Sequence, residues 1–210
     1  LETLKIGSGV TTINQYAFAG CTALSSITWG SSLKTIGTDA FRGCTALTTL
    51  SIPNTVTAIN GSAFYGCSAI TNLTIGNKVT SIGSSAFDHC TGLKSVIIPD
   101  SVTTMGDYAF RGCTSITSVT FGSGLTTIPY RGFNDCTSLE TLKIGSDVTA
   151  IDQYAFAGCS ALSSITWGSS LKTIGTAAFR GCTTLTTLSI PNTVTTINGE
   201  AFYGCSAITN

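Results

Sequence analysis

The sequence predicts a β-rich solenoid of about nine stacked turns, each 23 residues long. The first observation is a column of cysteines that recur at a constant interval of 23, each with a Phe three residues before it. The second is a short alternation of apolar residues, also once per turn, that stops at a Gly or Pro. A period of this length is typical of repeat architectures, in which one turn buries its apolar side only against its neighbours. The cysteines are Cys21, Cys44, Cys67, Cys90, Cys113, Cys136, Cys159, Cys182 and Cys205.

Each turn divides into three elements, and the turn that starts at Leu47 shows them in order. The segment from Leu47 to Ile52 has the pattern L-x-x-L-x-I and meets Pro53, which predicts a short strand that ends at a corner. A second apolar pair follows, at Val56 and Ile59. The motif Ala-Phe-x-Gly-Cys closes the turn. It is too short for a stable helix, so we expect one turn of α or 3₁₀ helix there.

A longer period lies on top of the 23-residue period. Residues 139–210 repeat residues 1–72 at an offset of 138, which is six turns of 23. We therefore expect one solenoid domain over residues 1–210. Neither end shows a polar capping segment, which leaves open that copies stack end to end. The two blocks differ at Gly9/Asp147, Thr12/Ala150, Asn14/Asp152, Thr22/Ser160, Asp39/Ala177, Ala46/Thr184, Ala58/Thr196 and Ser62/Glu200.

Composition excludes several classes of function. Ten basic residues balance ten acidic residues, and no basic patch of the kind that binds nucleic acid is visible. The apolar stretches are far shorter than the roughly 20 residues that a membrane helix needs, so we expect no membrane insertion. Ser and Thr together make up 62 of the 210 residues, which suits an extended β surface. This balance favours an extracellular or cell-surface location.

The full motif is A-F-x-G-C-x-x-L-x-x-I-x-I-P/G-x-x-V-x-x-I, and the stretch from Ala63 to Val102 carries it. It resembles the Treponema-type leucine-rich repeats of BspA-like proteins. The resemblance implies a leucine-rich-repeat solenoid with a parallel sheet on its concave side. It also implies a bacterial or mucosal-protist surface protein that binds host matrix proteins or other cells. His89 and Asp135 depart from the pattern, because each replaces the Gly before Cys.

No constellation of residues predicts chemistry, so we expect no catalytic, cofactor or metal site. A catalytic thiol needs a His partner, and the only His, His89, lies beside Cys90 alone. A structural zinc site uses closely spaced pairs such as C-x-x-C, whereas no two cysteines here are closer than 23 residues. We therefore predict a ladder of buried free thiols that act as small apolar residues.

Tyr and Arg residues cluster around the Ala-Phe motif and form the candidate binding edge. Such residues are the usual anchors of protein interfaces. The alternative is that these large side chains simply cover the shallow turn. The candidate residues are Tyr16, Arg42, Tyr65, Tyr108, Arg111, Tyr130, Arg131, Tyr154, Arg180 and Tyr203.

The outward positions of the main strand carry mostly hydroxyls, as in Ser25, Ser26 and Thr28. They form either a solvated surface or a regular array that contacts glycan. Together these features predict a non-enzymatic extracellular recognition or adhesion scaffold with a protein or glycan ligand. The alternative is a structural protein that stacks end to end into fibres or a surface layer.

Overall fold

A computed structural model shows residues 1–209 wound into successive 23-residue turns, each of which brings the same two strand positions to the same place. The described part of the chain contains seventeen short strands and no helix. Eight strands of three or four residues form the main sheet. They are β1 (Thr3–Lys5), β3 (Ser26–Thr28), β5 (Thr49–Ser51), β7 (Asn72–Thr74), β9 (Ser95–Ile98), β11 (Ser118–Phe121), β13 (Thr141–Lys143) and β15 (Ser164–Thr166).

Nine strands of two residues form a second sheet, one per turn, after the Gly or Pro corner. They are β2 (Thr12–Ile13), β4 (Thr35–Ile36), β6 (Ala58–Ile59), β8 (Ser81–Ile82), β10 (Thr104–Met105), β12 (Thr127–Ile128), β14 (Ala150–Ile151), β16 (Thr173–Ile174) and β17 (Thr196–Ile197). The ninth turn therefore contributes to the second sheet, while its segment 187–190 forms no strand of the main sheet.

All pairing is parallel, and the register equals the sequence period. Leu4 lies opposite Ile27, and Val119 lies opposite Leu142, each pair 23 residues apart. The main sheet runs in three segments, β1-β3, β5-β7 and β9-β11-β13-β15. The second sheet runs as β2-β4-β6-β8-β10 and β12-β14-β16-β17. Because each residue pairs with its own counterpart, every column of the sequence becomes a straight row on the solenoid.

A stack of phenylalanine rings fills the centre. Successive rings lie 5.0 to 5.6 Å apart between centroids and within 16° of parallel, from Phe18 to Phe202. Beside it lies the predicted row of thiols, which are all free and, except for Cys21, buried. Eight of them donate S–H to the carbonyl of the Phe 26 residues earlier, for example Cys113 to Phe87 at 3.2 Å.

The Ala-Phe-x-Gly-Cys segment is a run of turns rather than the expected helical turn. Its N–H groups alternate between two kinds of acceptor. In the second turn, Arg42 donates within the turn to the carbonyl of Asp39 at 3.2 Å. Phe41 and Gly43 donate instead to the next turn, to Ala63 and Tyr65, each at 2.8 Å. A helix would direct all of these groups along its own axis and leave neighbouring turns unconnected.

Left-handed backbone at two positions produces this alternation. The residue two before each Phe and the residue two after it both have positive φ in all nine turns, as at Asp39 (53°) and Gly43 (70°). The second position is Gly in seven turns and His89 or Asp135 in the other two. The first position is never Gly, so with His89 and Asp135 this fold holds eleven non-glycine residues in a conformation that L-residues rarely adopt.

Candidate binding edge

The left-handed turns also set the position of the candidate side chains. The Ala and Phe of the motif are buried in the central turns, whereas the candidate Tyr and Arg residues beside them are partly or fully exposed. Tyr16, Tyr108, Arg131 and Tyr154 occupy the position two residues before the Phe, and Tyr130 lies next to Arg131. The position one residue after the Phe holds Arg42, Tyr65, Arg111, Arg180 and Tyr203.

Arginine side chains lie over tyrosine rings along this edge. The guanidinium of Arg42 lies 4.7 Å from the ring centroid of Tyr65 in the next turn. Arg111 lies 4.9 Å from the ring of Tyr108, which belongs to its own turn. Each such contact is a cation–π interaction of about 0.5–1 kcal/mol at an exposed site.

The middle of the edge is the most densely packed. The rings of Tyr108 and Tyr130 meet edge to face at 5.2 Å, and those of Tyr130 and Tyr154 at 6.3 Å. Arg131 lies over two of these rings, 5.3 Å from Tyr130 and 5.0 Å from Tyr154. One arginine is thereby fixed between aromatic rings from two successive turns.

A buried carboxylate joins this cluster to the preceding turns. The side chain of Asp88 is 1% exposed and accepts two hydrogen bonds from Arg111, at 2.8 and 3.2 Å. It also lies 2.7 Å from Nδ1 of His89, whose ring contacts Tyr65 at 5.8 Å. The hydrogen bonds and the charge of Asp88 raise the pKa of Arg111. These contacts fix Arg111 more firmly than stacking alone would.

The sequence did not single out Asp88 or His89 as members of the edge. The sequence signal that could have identified Asp88 is its position, since it occupies the same column of the repeat as Arg42 and Tyr65. His89 takes the place of a left-handed Gly, and its ring lies against Gly112 of the next turn.

The structure thus brings most, but not all, of the candidate residues together. An unbroken series of side-chain contacts runs across turns two to seven, and we call it the Tyr/Arg edge. Arg180 and Tyr203 form a separate pair at 4.9 Å, with an ion pair from Arg180 to Glu200 at 2.9 Å. Tyr16 is 55% exposed, and its side chain contacts no member of the edge within residues 1–209. The Tyr/Arg edge consists of Asp39, Arg42, Tyr65, Asp88, His89, Tyr108, Arg111, Tyr130, Arg131 and Tyr154.

Burial disfavours ionisation of the thiols in the central turns. Burial raises the pKa of Cys90 to about 12, so its reactive thiolate form is scarce at neutral pH. Across residues 1–209, no three His, Cys, Asp or Glu side chains gather closely enough to hold a metal ion.

The outward face of the main sheet is polar, and many of its hydroxyls have partners within the fold. Thr71 and Thr117 donate to the carbonyls of Thr48 and Lys94, 23 residues earlier, each at 3.2 Å. Ile97 interrupts this polar face and is 68% exposed.

Stacked 23-residue turns, a parallel sheet and buried rows of Leu, Ile, Phe and Cys define a leucine-rich-repeat solenoid. The chain belongs to the family described as BspA type leucine rich repeat region, whose repeats match residues 1–106 and 80–209. This agrees with the resemblance seen in the motif. No curated protein matches the sequence.

Three solved structures of leucine-rich repeat proteins are similar to this chain. A leucine-rich repeat protein from Bacteroides ovatus is 30% identical over 98% of this chain, with a TM-score of 0.84. This chain spans 62% of the length of that protein. A leucine rich cell surface protein from Faecalibacterium prausnitzii is 26% identical over 99% of this chain and 72% of its own, with a TM-score of 0.52. A leucine-rich repeat protein from Treponema pallidum is 25% identical over 88% of this chain and 78% of its own, with a TM-score of 0.66.

Family and fold together imply a repeat scaffold of the kind that binds proteins. Within residues 1–209, no helix has the length and apolar character needed to cross a membrane.

Proposed function

We propose that this chain is a non-enzymatic recognition module of a bacterial surface or secreted protein, and that it binds a protein ligand through the Tyr/Arg edge. One observation carries the proposal: Tyr and Arg side chains from five turns, bridged in the fourth turn by Asp88 and His89, form one series of contacts along one edge of the solenoid. Tyr and Arg are the residue types that most often dominate binding energy at protein interfaces.

The internal contacts support binding because they reduce its entropic cost. A free Arg or Tyr side chain loses rotamer freedom when a partner immobilises it, at about 0.5–1.5 kcal/mol each. Here Arg131 is already held between two rings, and Arg111 is held by Asp88. A partner therefore meets a surface whose anchors are ordered before contact.

Arg131 is the proposed centre of the interface. The other three arginines each pair with a carboxylate: Arg42 with Asp39, Arg111 with Asp88 and Arg180 with Glu200. Arg131 has no such partner within residues 1–209, and its buried Nε has no hydrogen-bond acceptor. The buried Nε is out of a ligand's reach, so a ligand carboxylate would pair with the terminal nitrogens of this guanidinium, and the proposed partner presents an acidic side chain there.

The test is surface plasmon resonance of the chain over immobilised fibronectin, fibrinogen, laminin and collagen. For any of these that binds, we expect Arg131→Ala and Tyr154→Ala each to weaken affinity by about tenfold or more, as loss of an interface anchor does. Arg131→Lys should restore only part of the affinity, since lysine keeps the charge but lacks the planar fork.

Lys172→Ala serves as the matched control, because this exposed residue lies by the second sheet, outside the edge. Thermal unfolding of each variant checks that the fold is intact. Equal affinity of the wild type, Arg131→Ala and Tyr154→Ala would overturn the edge as the interface. No binding to any of the four proteins would overturn matrix recognition.

End-to-end stacking into fibres is the alternative, and the near-identity of residues 139–210 with residues 1–72 favours it. Blocks of six turns could continue the same register from one copy to the next. Light scattering with negative-stain microscopy separates the two hypotheses: filaments would support stacking, whereas discrete monomers would support the recognition module.

A further inference from the structure

Within residues 1–209, pairing of the main sheet stops after β3, β7 and β15, and after β3 and β15 the next residue is a Trp. The strand β3 pairs with β1 but not with β5, and Trp29 comes directly after β3. Six turns later Trp167 comes directly after β15, and the ninth turn adds no main strand beyond it. Trp29 and Trp167 are the only tryptophans of the chain. In turns three to seven the same column holds Ile or Phe, which is buried.

The first opening leaves backbone groups without partners. Between residues 25–29 and residues 48–52, the described structure contains no backbone hydrogen bond. By contrast, at the third interruption, between β7 and β9, Lys94 still donates to the carbonyl of Thr71 at 3.3 Å. Only the openings beside Trp form clefts lined by an indole, with volumes of about 400 and 480 Å³.

The size of the indole accounts for the opening. The ring of Trp29 packs edge to face on Phe41, with 5.7 Å between centroids, and Trp167 packs in the same way on Phe179. An indole cannot fit in the space of an Ile without moving its neighbours, since protein cores are close-packed. The strand of the following turn is therefore displaced, and part of the indole stays exposed inside the cleft.

The lining of the clefts indicates the chemistry of a ligand. Around Trp29 it combines Ser and Thr residues with the apolar residues Ile27 and Leu50, and it includes no charged residue. A charged ligand would lose water there without gaining a counter-charge.

A neutral ligand with one apolar face and many hydroxyls satisfies both parts of the lining. We propose that the two Trp clefts are binding sites for neutral sugar units, separate from the Tyr/Arg edge. The C–H face of a sugar ring packs on the indole. Its hydroxyls bond to the serine and threonine hydroxyls of either cleft and, at Trp29, to the unpaired backbone groups between residues 25–29 and 48–52. Six turns at about 4.8 Å place the two clefts roughly 29 Å apart on one face, so a long glycan can engage both.

Tryptophan fluorescence reports on these clefts alone, because the chain has no other Trp. We would titrate the full chain with maltose, cellobiose and N-acetyllactosamine and follow the emission. The expected result is a saturable change with at least one of them. Trp29→Ile should leave about half of the emission change, from the cleft at Trp167. The double variant Trp29→Ile/Trp167→Ile should lose the calorimetric heat of binding.

The double variant is expected to remain folded, because Ile is the usual residue of this column; circular dichroism checks this. Arg131→Ala should bind the sugar with unchanged affinity, which separates this proposal from the one for the edge. The absence of a saturable change with all three sugars would overturn the proposal. A double variant that still binds sugar would also overturn it. The same holds if an unbranched neutral peptide, rather than a sugar, produces the saturable emission change.

Discussion

Single residues of this solenoid are constrained above all by the two left-handed positions that flank each Phe. At Gly112, φ is +66°, and a Cβ there would lie 3.2 Å from atoms of the His89 ring. At Gly181, φ is +76°, and the nearest atom to a Cβ is 3.9 Å away. Glycine is therefore favoured at both positions for its backbone, and at Gly112 for space as well.

We expect Gly181→Ala to destabilise the fold by about 1–2 kcal/mol, the usual cost of left-handed backbone for an L-residue. Gly112→Ala should cost more, because the His89 ring must also move. The measurement is urea unfolding followed by circular dichroism. Adding His89→Ala to Gly112→Ala should remove the extra loss of stability relative to Gly181→Ala. Equal losses for the two glycine variants would show that the ring contact has no energetic consequence.

A second residue-scale prediction concerns Asp152, where the preceding six-turn block has Asn14. Partial burial raises the pKa of Asp152, and the charge of Asp107 adds to the effect. A raised carboxyl pKa means that the folded state favours the protonated form. The carboxylate therefore costs stability at neutral pH, and this cost disappears as pH falls through the raised pKa.

Asp152→Asn should accordingly raise the melting temperature slightly at pH 7, with the difference shrinking towards pH 3.5, below the ordinary Asp pKa of about 3.9. The effect should be small because the side chain is largely exposed. Asp147→Asn changes the net charge equally and is the control. If the gain in melting temperature at pH 7 persisted unchanged at pH 3.5, titration of Asp152 could not be its cause.

At the scale of elements, the strands were predictable and the closing motif was not. Alternation such as Leu50-x-Ile52 before Pro53 predicts a strand, and β5 lies there. The motif Ala-Phe-x-Gly-Cys has the length of a helical turn, but its N–H groups alternate between their own turn and the next. Whether an N–H group bonds within its own turn or to the next turn depends on a neighbouring turn with the same backbone. Local helix propensity carries no information about that neighbour. Positive φ at non-glycine residues such as Tyr108 cannot be predicted from their residue type.

The row of thiols gives the element-scale prediction. Cys21 is partly exposed. A hydrogen bond with Cys182 lowers the pKa of Cys205, which favours the thiolate form at this end of the row. Burial raises the pKa of Cys113 and Cys136 well above the ordinary value. Since thiolate is the reactive form, iodoacetamide at pH 7.5 should label Cys21 and Cys205 in the native chain.

Mass spectrometry of tryptic peptides locates the labels, and the denatured chain, with all nine thiols modified, is the reference. Rapid native labelling of Cys113 or Cys136 would contradict the closed core. It would indicate that the central turns open on the timescale of the reaction.

For the whole molecule, the period of 23 was sufficient to predict parallel stacking and its register, because each column pairs with itself. It was not sufficient to predict where the main sheet opens. Trp29 is a larger residue in a column of mostly Ile, but the resulting loss of pairing with β5 depends on how far the next strand can move. The Tyr/Arg columns were also visible in the sequence. Their link through Asp88 was not, because it joins residues 23 apart through a buried carboxylate.

Stability should also be distributed along the solenoid turn by turn. Each Phe ring stacks only on its counterparts in the adjacent turns, and Phe110 is fully buried between Phe87 and Phe133 at 5.0 Å each. Phe18, by contrast, is only partly buried and stacks on Phe41 alone. In a fold stabilised by nearest-neighbour contacts, loss of a central ring removes two stacking contacts and weakens the coupling between the two halves.

Phe110→Ala should therefore cost about 3–5 kcal/mol, as expected for a buried aromatic residue, and should broaden thermal unfolding or split it into two transitions. Phe18→Ala should cost less and leave one transition. Hydrogen exchange then shows which turns open first, and we expect protection to fall around Phe110 before it falls around Phe41 or Phe156. A single sharp transition for Phe110→Ala, with uniform loss of protection, would mean that the solenoid unfolds as one cooperative unit in spite of its one-dimensional contacts.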